Sequence, residues 1–312
     1  MRAVIIHNSS AGVNAHASPL HAALNELRAA EWDIVMRETQ RAGDATRLAR
    51  AAANENFDAA FAVGGDGTVN EVLNGLLSSE TALGVLPFGT ANVWALEMGL
   101  PLHDMPRAAA LQAHAPPRWV DVGIAQSGEG AEALAPRAFL LCSGAGFDAS
   151  IVREVETQRA AKRRWGKLFF LFVGFRQALR YRGRRVTVTV DGQTYKRRVI
   201  QALISNAQLY GALTRIPPDA RVDDGLLDVT LLHGDNALHT IWHFIRLGAG
   251  LYNQQPDIEH LRGRAIEIRG DKLSAHVDAE PFGATPLKIN VQPRAARVFV
   301  PETATRGLFA RG

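Results

Sequence analysis

Apolar runs of strand length alternate with helical patterns along about the first hundred residues of the chain. The runs are Ala3–His7, Asp33–Met36, Ala59–Val63 and Leu83–Leu86, and the intervening patterns predict helices that begin near Ser18, Asp44, Val69 and Ala91. Alternation of this kind predicts a parallel sheet with helices on both faces. Ligands of such sheets bind beyond the carboxyl ends of the strands, so the loops there are candidates for chemistry.

The pattern changes to strands after Pro116-Pro117. Predicted strands are Trp119–Ala125, Phe139–Cys142, Val186–Val190, Val199–Ser205, Leu227–His233, Ile266–Ile268, Leu273–Val277 and Lys288–Val291. Asp191-Gly192, directly after the alternating VTVTV, predicts a hairpin. Helical patterns interrupt the strands at about residues 147–182 and 237–253. We therefore predict an α/β domain over residues 1–118 and a β-rich domain over residues 119–295.

Composition narrows the class of protein. The 312 residues suffice for two domains, and the single cysteine, Cys142, excludes an intramolecular disulfide framework and a cysteine-cluster metal site. The first residues are too polar for a signal peptide, and the longest apolar run, Leu168–Phe175, is too short to span a membrane. We expect a cytoplasmic protein.

Positive charge is concentrated in one segment. The net charge is +4, yet residues 153–185 hold eleven Lys and Arg against two Glu, so the remainder is net acidic. This distribution predicts no nucleic-acid partner. Within the segment, Arg159, Lys162, Arg163, Arg164 and Lys167 surround Trp165, which predicts peripheral docking on an anionic membrane, driven by charge. We expect the apolar run from Leu168 onward to be core.

The turn after Ala59–Val63 is the first candidate for chemistry. It reads Gly64-Gly65-Asp66-Gly67-Thr68 and leads into a predicted helix. Glycines allow a ligand to approach the backbone, and the free N–H groups of a helix start attract phosphate. Asp66 would repel a bare phosphate, which indicates a bridging Mg²⁺ or a ribose hydroxyl. A plain turn that caps a helix explains this motif, taken alone, equally well.

Two further loops follow strands of the same predicted sheet. They are Asn8-Ser9-Ser10-Ala11-Gly12 and Pro87–Asn92. Three small, hydroxyl- and amide-rich loops at one sheet edge favour a nucleotide pocket over three plain turns. The sequence lacks the G-x-x-x-x-G-K-[ST], G-x-S-x-G and H-R-D with D-F-G signatures, which excludes a P-loop protein, an α/β-hydrolase and a protein kinase.

These residues resemble the diacylglycerol kinase catalytic family, bacterial lipid kinases that are also similar to sphingosine and ceramide kinases. The resemblance spans nearly the whole chain, and its specific parts are GGDGTVNEVLNGL at residues 64–76 and LPFGTAN at residues 86–92. NAD kinases share GGDGT, but the longer motifs favour the lipid kinases. Asn8–Gly12 resembles the family loop N-P-x-S-G, with Ser9 in place of proline.

The resemblance implies a fold and a nucleotide site. The fold is a Rossmann-like N-terminal domain followed by a β-sandwich-like domain of the NAD kinase and diacylglycerol kinase type, with the lipid in the cleft between them and the tail 296–312 returning to the first domain. ATP is the implied donor and Mg²⁺ the implied cofactor. The implied nucleotide-binding residues are Asn8, Ser9, Ser10, Ala11, Gly12, Thr39, Gly64, Gly65, Asp66, Gly67, Thr68, Val69, Asn70, Glu71, Gly89, Thr90 and Asn92.

The resemblance also implies the catalytic carboxylates. The family's D-G-E loop matches Asp278-Ala279-Glu280, either of whose carboxylates could be the base, and Asp66 completes the catalytic set. Ala279 stands where the family has glycine and is strained if that position needs positive φ. Without the resemblance, two solvated carboxylates in a hairpin would be the preferred interpretation.

A second acidic loop resembles the family's D-G-x-L-D magnesium loop. It implies a side-chain ligand from Asp224 and carbonyl ligands from Arg221 and Leu226, although a plain turn before the next strand is nearly as good an interpretation. Val93 replaces an aspartate found in many relatives. His276, His233, His239 and His243 lack a convincing ligand set, so we expect them to be structural.

The sequence thus predicts an ATP- and Mg²⁺-dependent lipid kinase that phosphorylates a hydroxyl of a diacylglycerol-like or sphingoid lipid. An NAD kinase and a non-catalytic nucleotide- and lipid-binding protein are the alternatives. The acceptor lipid, the preferred donor nucleotide and the oligomeric state stay open, with a homodimer as one option.

Overall fold

The structure of the protein, a computed structural model, describes residues 1–8, 17–88, 92–158, 169, 172–211, 214–249 and 255–310. The chain forms two compact units. The first comprises Met1–Val122, Val222–Asp224 and Pro293–Gly312, and the second comprises Gly123–Arg221 and Gly225–Gln292. The borders differ from the predicted ones by three or four residues, and residues 222–224 lie in the first unit although the sequence pattern placed them in the second.

Parallel strands form the sheet of the first unit, in the order β4-β3-β1-β2 with the end of β17 beside β4. The strands are β1 (Arg2–Asn8), β2 (Asp33–Thr39), β3 (Ala59–Gly64), β4 (Ala82–Pro87) and β17 (Leu287–Phe299). The helices are α1 (Ala17–Ala29), α2 (Asp44–Asn54), α3 (Asp66–Leu76), α4 (Val93–Glu97) and α5 (Met105–Ala113). The prediction of an α/β domain is confirmed.

Aromatic rings fill the core of this unit. Trp32 meets Phe61 and Phe299 edge-on, each at 5.9 Å between ring centroids, and Phe61 stacks on Phe299 at 5.6 Å. Every residue of β3 and β4 is buried, which explains why both read as continuous apolar runs rather than as alternating patterns.

Antiparallel strands dominate the second unit. The strands are β5 (Pro117–Ser127), β6 (Arg137–Phe139), β7 (Cys142–Gly146), β8 (Arg184–Val190), β9 (Gln193–Ser205), β10 (Leu209–Tyr210), β11 (Thr214–Arg215), β12 (Leu227–His233), β13 (Ile258–Gly263), β14 (Ala265–Gly270), β15 (Ser274–Val277) and β16 (Glu280–Ala284). They pair in the order β16-β15-β7-β9-β8-β14-β17, and β12 joins β9 to β13. The prediction of a β-rich second domain is confirmed.

Local patterns explain the strand faces and turns of this unit. In β8 the valines at positions 186, 188 and 190 are buried, and the threonines between them are partly exposed. Asp191 and Gly192 join β8 to β9 as a two-residue turn, both with positive φ, as in a type I′ hairpin. The hairpin predicted from VTVTV-Asp-Gly is therefore confirmed.

The helical segments differ from the prediction. The stretch predicted over residues 147–182 contains α6 (Phe147–Thr157) and α7 (172–178), and the later helix is α8 (Ala237–Gly248). Our prediction that the apolar run from Leu168 is core was wrong for Phe172 and Phe175, which are more than half exposed, whereas Val173 is buried. Among the described helices, none is long and apolar enough to cross a membrane.

Candidate active site

The carboxyl ends of four parallel strands bring the predicted nucleotide residues to one edge of the first sheet. Asn8 is in register with Thr39, and Gly64 is in register with Pro87. The Asn8 amide donates to Thr68 Oγ1 at 3.2 Å, which joins the end of β1 to the start of α3. Ser9, Ser10, Ala11, Gly12, Gly89 and Thr90 lie outside the described residues.

The GGDGT segment is a helix start rather than a separate loop. α3 begins at Asp66, three residues before the predicted start at Val69, and Gly65 is its N-cap with an extended backbone. Gly67 and Thr68 therefore belong to the first turn, whose amides have no acceptor within the helix. Close packing explains Gly64, because a Cβ there would lie 2.4 Å from Thr68 Oγ1. A helix start of this kind suits an anion.

The Asp66 carboxylate connects this helix start to α4. Its Oδ1 accepts hydrogen bonds from the amides of Val93 at 2.8 Å and Trp94 at 3.4 Å. Asn92 strengthens the connection, since it donates to the Gly64 carbonyl at 3.0 Å and accepts from the Ala95 amide at 3.0 Å. The sequence shows that Asn92 suits a helix cap. It does not show the hydrogen bond between Asp66 and the Val93 amide, because these residues are 27 positions apart.

Three predicted nucleotide residues point their side chains elsewhere. Val69 and Asn70 are buried. The Glu71 carboxylate accepts from the amides of Gly43 at 3.0 Å and Ala45 at 3.2 Å, so it caps the start of α2. These contacts assign packing and capping roles to the side chains at positions 69–71 and leave the amides at the start of α3 as the groups suited to phosphate.

The candidate base loop is a tight hairpin between β15 and β16 in the second unit. Val277 pairs with Glu280, and the two turn residues, Asp278 and Ala279, have φ of 44° and 62°. Ala279 thus occupies the left-handed region that favours glycine, as expected if the turn keeps the family's shape. A non-glycine residue in this region costs about 1–2 kcal/mol.

The two carboxylates of this hairpin have different surroundings. Asp278 is buried, and its oxygens accept hydrogen bonds from the consecutive amides of Leu140, Leu141 and Cys142 at 3.1–3.2 Å. Glu280 is 39% exposed and pairs with Arg137 at 3.1 Å. The predicted strand 139–142 is in fact broken at Leu140–Leu141, and this break frees the amides that hold Asp278.

A buried ion pair includes His276 of β15, two residues before Asp278. His276 Nε2 is 2.7 Å from Asp148 Oδ2, and the Tyr210 hydroxyl donates to the same oxygen at 2.8 Å. Burial opposes both charges, but their mutual attraction and hydrogen bond raise the pKa of His276 and lower that of Asp148. Gly144 makes room, since a Cβ there would lie 2.5 Å from His276 Nε2.

An apolar pocket adjoins this ion pair within the second unit. Asp148, Gln201, Tyr210, Thr230 and His243 are its polar residues, and Phe147, Ile200, Leu203, Ile216, Leu232 and Phe244 are its apolar ones. Burial lowers the pKa of His243. Sequence analysis missed Asp148 and Tyr210. The available signal was the acidic residue two positions after Gly146, in the first turn of α6.

Comparisons with known proteins identify the family of the chain. Residues 2–125 match the diacylglycerol kinase catalytic domain, and residues 142–300 match the YegS C-terminal NAD kinase beta sandwich-like domain. A probable lipid kinase YegS-like of Chromohalobacter salexigens is 30% identical over 297 residues, which are 93% of this chain and 91% of that protein. The chain belongs to the diacylglycerol kinase catalytic-domain family.

Other members and a solved structure extend the likeness over both units. A diacylglycerol kinase of Bacillus subtilis is 27% identical over 292 residues, 91% of each chain. A crystal structure from Bacillus anthracis, named as a candidate diacylglycerol kinase, has a TM-score of 0.79 and 25% identity and covers 97% of this chain and 98% of its own. Yeast NADH kinase shares the fold at a TM-score of 0.50 and 7% identity, over 97% of this chain and 84% of its own.

The acidic loop implied by this family membership is divided between the units. Asp224 belongs to the first unit, and Arg221 and Leu226 belong to the second, so their role as metal ligands stays a prediction. The neighbouring Asp223, which sequence analysis passed over, accepts from the Ala310 amide at 2.6 Å and pairs with Arg118 at 3.3 Å. Asp223 thereby ties the C-terminal tail into the first unit.

The predicted basic docking cluster falls on residues that the structure does not describe. Arg159, Lys162, Arg163, Arg164 and Lys167 lie outside the described residues, and so does Trp165.

Proposed function

We propose that the protein is an ATP-dependent lipid kinase that transfers the γ-phosphate to a hydroxyl of a diacylglycerol-like or sphingoid lipid. The observation that carries the proposal is the contrast between Asp278 and Glu280 on one hairpin, in a chain whose family members include proteins named diacylglycerol kinase and lipid kinase. The Asp278 carboxylate is buried and accepts hydrogen bonds from three amides, as expected of a structural anion. The Glu280 carboxylate is accessible, as a catalytic base must be.

Glu280 is the proposed base. Its partly exposed carboxylate accepts the proton of the lipid hydroxyl, and Arg137 keeps the carboxylate oriented. The hydroxyl oxygen then attacks the γ-phosphorus, the bond from that phosphorus to the β–γ bridging oxygen breaks, and ADP leaves. Asp278 is less suited to this step, because three amides occupy its oxygens and burial separates it from solvent.

The start of α3 is the proposed phosphate site. The first amides of the helix and its dipole stabilise negative charge that develops on the transferring group. Asn8 and Thr68, joined by a hydrogen bond at the same edge, position this helix start against the end of β1.

Asp66 is the residue that would hold Mg²⁺. Among the described residues, no group of three or more His, Cys, Asp or Glu could hold a metal. Mg²⁺ in kinases is commonly bound by one or two carboxylates together with the phosphates of the substrate, and a single half-buried aspartate beside a helix start fits that mode. When bound, Mg²⁺ neutralises phosphate charge.

Labelled ATP offered with a diacylglycerol, a sphingoid base or NAD tests the proposal. We expect label in a lipid product, and Glu280→Gln should lower kcat by ~10² to 10⁴ with little change in nucleotide affinity. Glu129→Gln is the matched control, since Glu129 is also a half-exposed carboxylate of the second unit paired with an arginine. Label in NAD alone would assign the chain to the NAD kinases, and no label with any acceptor would leave a binding protein.

The lipid acceptor makes a membrane surface the proposed partner. An anionic leaflet suits the concentration of Lys and Arg in residues 153–185. Cytoplasmic location with peripheral attachment is part of the same proposal.

A further inference from the structure

Two neighbouring helices of the second unit carry exposed apolar stripes. Six large apolar side chains are between 50% and 76% exposed: Phe172, Phe175 and Leu179 on and just after α7, and Leu238, Trp242 and Ile245 on α8. Their spacings, three and four residues apart, place each set on one face of its helix. Scattered exposed apolar residues are ordinary, but an exposed apolar stripe on each of two neighbouring helices indicates an interaction surface.

The two helices contact each other directly. Gly174 of α7 packs against the Phe244 ring, because a Cβ at Gly174 would lie 2.8 Å from that ring. The Thr240 hydroxyl of α8 donates to the Tyr181 carbonyl, just beyond α7, at 3.1 Å. Val173 and Ala178 are buried on the inner side of α7. Both stripes therefore face away from the core of the same unit, and we call these six side chains the α7–α8 face.

Charge around the α7–α8 face selects the partner. Arg153, Arg180 and Arg182 are exposed, and none has an ion pair with the described residues. Arg176 and Arg246 are paired with Glu154 and Asp257, so these two acidic groups are neutralised. The sequence segment that contains α7, residues 153–185, holds eleven Lys and Arg against two Glu. A second copy of the chain would bring the same positive charge, whereas an anionic bilayer complements it.

The side chains on the face suit the boundary between headgroups and acyl chains. Phenylalanine, leucine and isoleucine enter the apolar layer, and tryptophan favours the interface. The Arg246 guanidinium lies 4.9 Å from the centre of the Trp242 ring, an arrangement that keeps a cation at headgroup level beside an inserted aromatic ring.

We propose that the α7–α8 face inserts into an anionic bilayer and docks the second unit on the membrane. The inference rests on the proposed function and deepens it, because it specifies how the protein reaches an acceptor that resides in a bilayer. His243 and Phe244, on the inner side of α8, line the apolar pocket beside Asp148 and Tyr210. One helix thus separates the docking face from the pocket.

The proposal replaces the sequence-based expectation that charge alone drives docking. Membrane binding by insertion of apolar side chains changes little with salt concentration, whereas salt screens the attraction between exposed charges. Binding that depends on the six side chains should therefore persist at high ionic strength.

Vesicle co-sedimentation of the full chain tests the docking face. The probes are vesicles of phosphatidylcholine mixed with phosphatidylglycerol, at low and high salt. The triple variant Phe172→Ser, Phe175→Ser and Trp242→Ser should lose binding by at least about tenfold at both salt concentrations. The matched control, Met36→Ser with Leu134→Ser, removes exposed apolar side chains outside the face and should bind like the wild type.

Circular dichroism and transfer to a short-chain diacylglycerol in detergent micelles should be unchanged in the triple variant. Where that variant fails to fold, the single changes Phe172→Ser and Trp242→Ser, one on each helix, replace it. Wild-type vesicle binding in these variants, or a shift in oligomeric state in place of a binding loss, would overturn the proposal. Binding needs no phosphoryl transfer, so a wild type that docks but phosphorylates nothing contradicts the proposed function alone.

Discussion

At the scale of single residues, the hairpin at Asp278 shows how two adjacent carboxylates acquire different tasks. The sequence distance between them is two residues, yet one is enclosed by amides from positions 140–142 and the other reaches solvent beside Arg137. The turn between the two carboxylates requires a left-handed backbone conformation at Ala279. The strain is tolerated because strand pairing on both sides holds the turn.

Asp278→Asn should destabilise the second unit, whereas Glu280→Gln should not. An asparagine would face amide donors with its own NH₂ group, so we expect a loss of about 1–3 kcal/mol. Glu280 is partly exposed, and its change should stay within about 0.5 kcal/mol. Thermal unfolding of the two variants checks this. Equal melting temperatures would contradict the structural role of Asp278.

The ion pair between Asp148 and His276 should make stability depend on pH. The raised pKa of His276 contributes stability below its ordinary value of 6.5, and this is lost as pH rises through the folded-state pKa. The lowered pKa of Asp148 contributes above its ordinary value of 3.8 and is lost as pH falls through the folded-state pKa. Breaking this buried pair with His276→Gln should lower the free energy of unfolding by about 3–5 kcal/mol. The loss should be largest between the two ordinary pKa values, 3.8 and 6.5, and smaller in alkali.

Unfolding free energies of the wild type and His276→Gln across this pH range provide the measurement. The double variant Asp148→Asn with His276→Gln is the control, since it removes both charges. If the difference in unfolding free energy between the wild type and His276→Gln stayed constant from acid to alkali, the pair would not be charged.

At the scale of elements, helix starts are connected by carboxylates from distant positions. Asp66 binds the amides at the start of α4, Glu71 binds those at the start of α2, and Asp104 caps its own helix α5. The first two contacts join separate loops of the nucleotide edge. Changes in one loop should therefore affect the order of its neighbour.

Asp66→Ala should loosen α4 in addition to weakening phosphate binding. α4 has five residues and depends on its cap, so amide exchange over residues 93–97 should accelerate by about fivefold, corresponding to a lost cap of ~1 kcal/mol. Asp104→Ala removes a cap of the same chemistry from α5 and should leave residues 93–97 unchanged. Mass spectrometry measures this exchange. Equal exchange over residues 93–97 in Asp66→Ala and Asp104→Ala would contradict the connection between Asp66 and α4.

At the scale of the whole molecule, the C-terminal tail completes the first unit. Leu308 is fully buried, its carbonyl accepts from the Val222 amide at 2.9 Å, and the Thr305 amide donates to the Glu97 carbonyl at 2.7 Å. The end of β17 extends the parallel sheet beside β4. Residues more than 200 positions apart, such as Glu97 and Thr305, thus belong to one unit.

Leu308→Ala should destabilise the first unit by about 2–5 kcal/mol, the usual cost of a large cavity in a core. Faster amide exchange in β1 and β3 is the expected readout, since these strands lie within that unit. Leu134→Ala, an exposed leucine of the second unit, is the control. Unchanged exchange in β1 and β3 would show that the tail contributes nothing to this core.

The sequence by itself determined the periodic features of the protein. Strand β3 and its glycine turn, the alternating valines of β8 and the Asp191-Gly192 hairpin follow from local rules of side-chain alternation, helix capping and turn chemistry. Those rules also predicted the order of an α/β unit and a β-rich unit. These rules act over a few residues, so they can be applied to the amino-acid sequence alone.

Tertiary structure decided accessibility. Whether Asp278 or Glu280 reaches solvent depends on amides about 140 residues away, and the roles of Asp66 and Glu71 as caps depend on loops that are distant in sequence. Phe172 and Phe175 are exposed although their run reads as core, because α7 buries only the side that packs on α8 and α6. Burial is set by what covers a side chain, and the covering residues come from elsewhere in the chain.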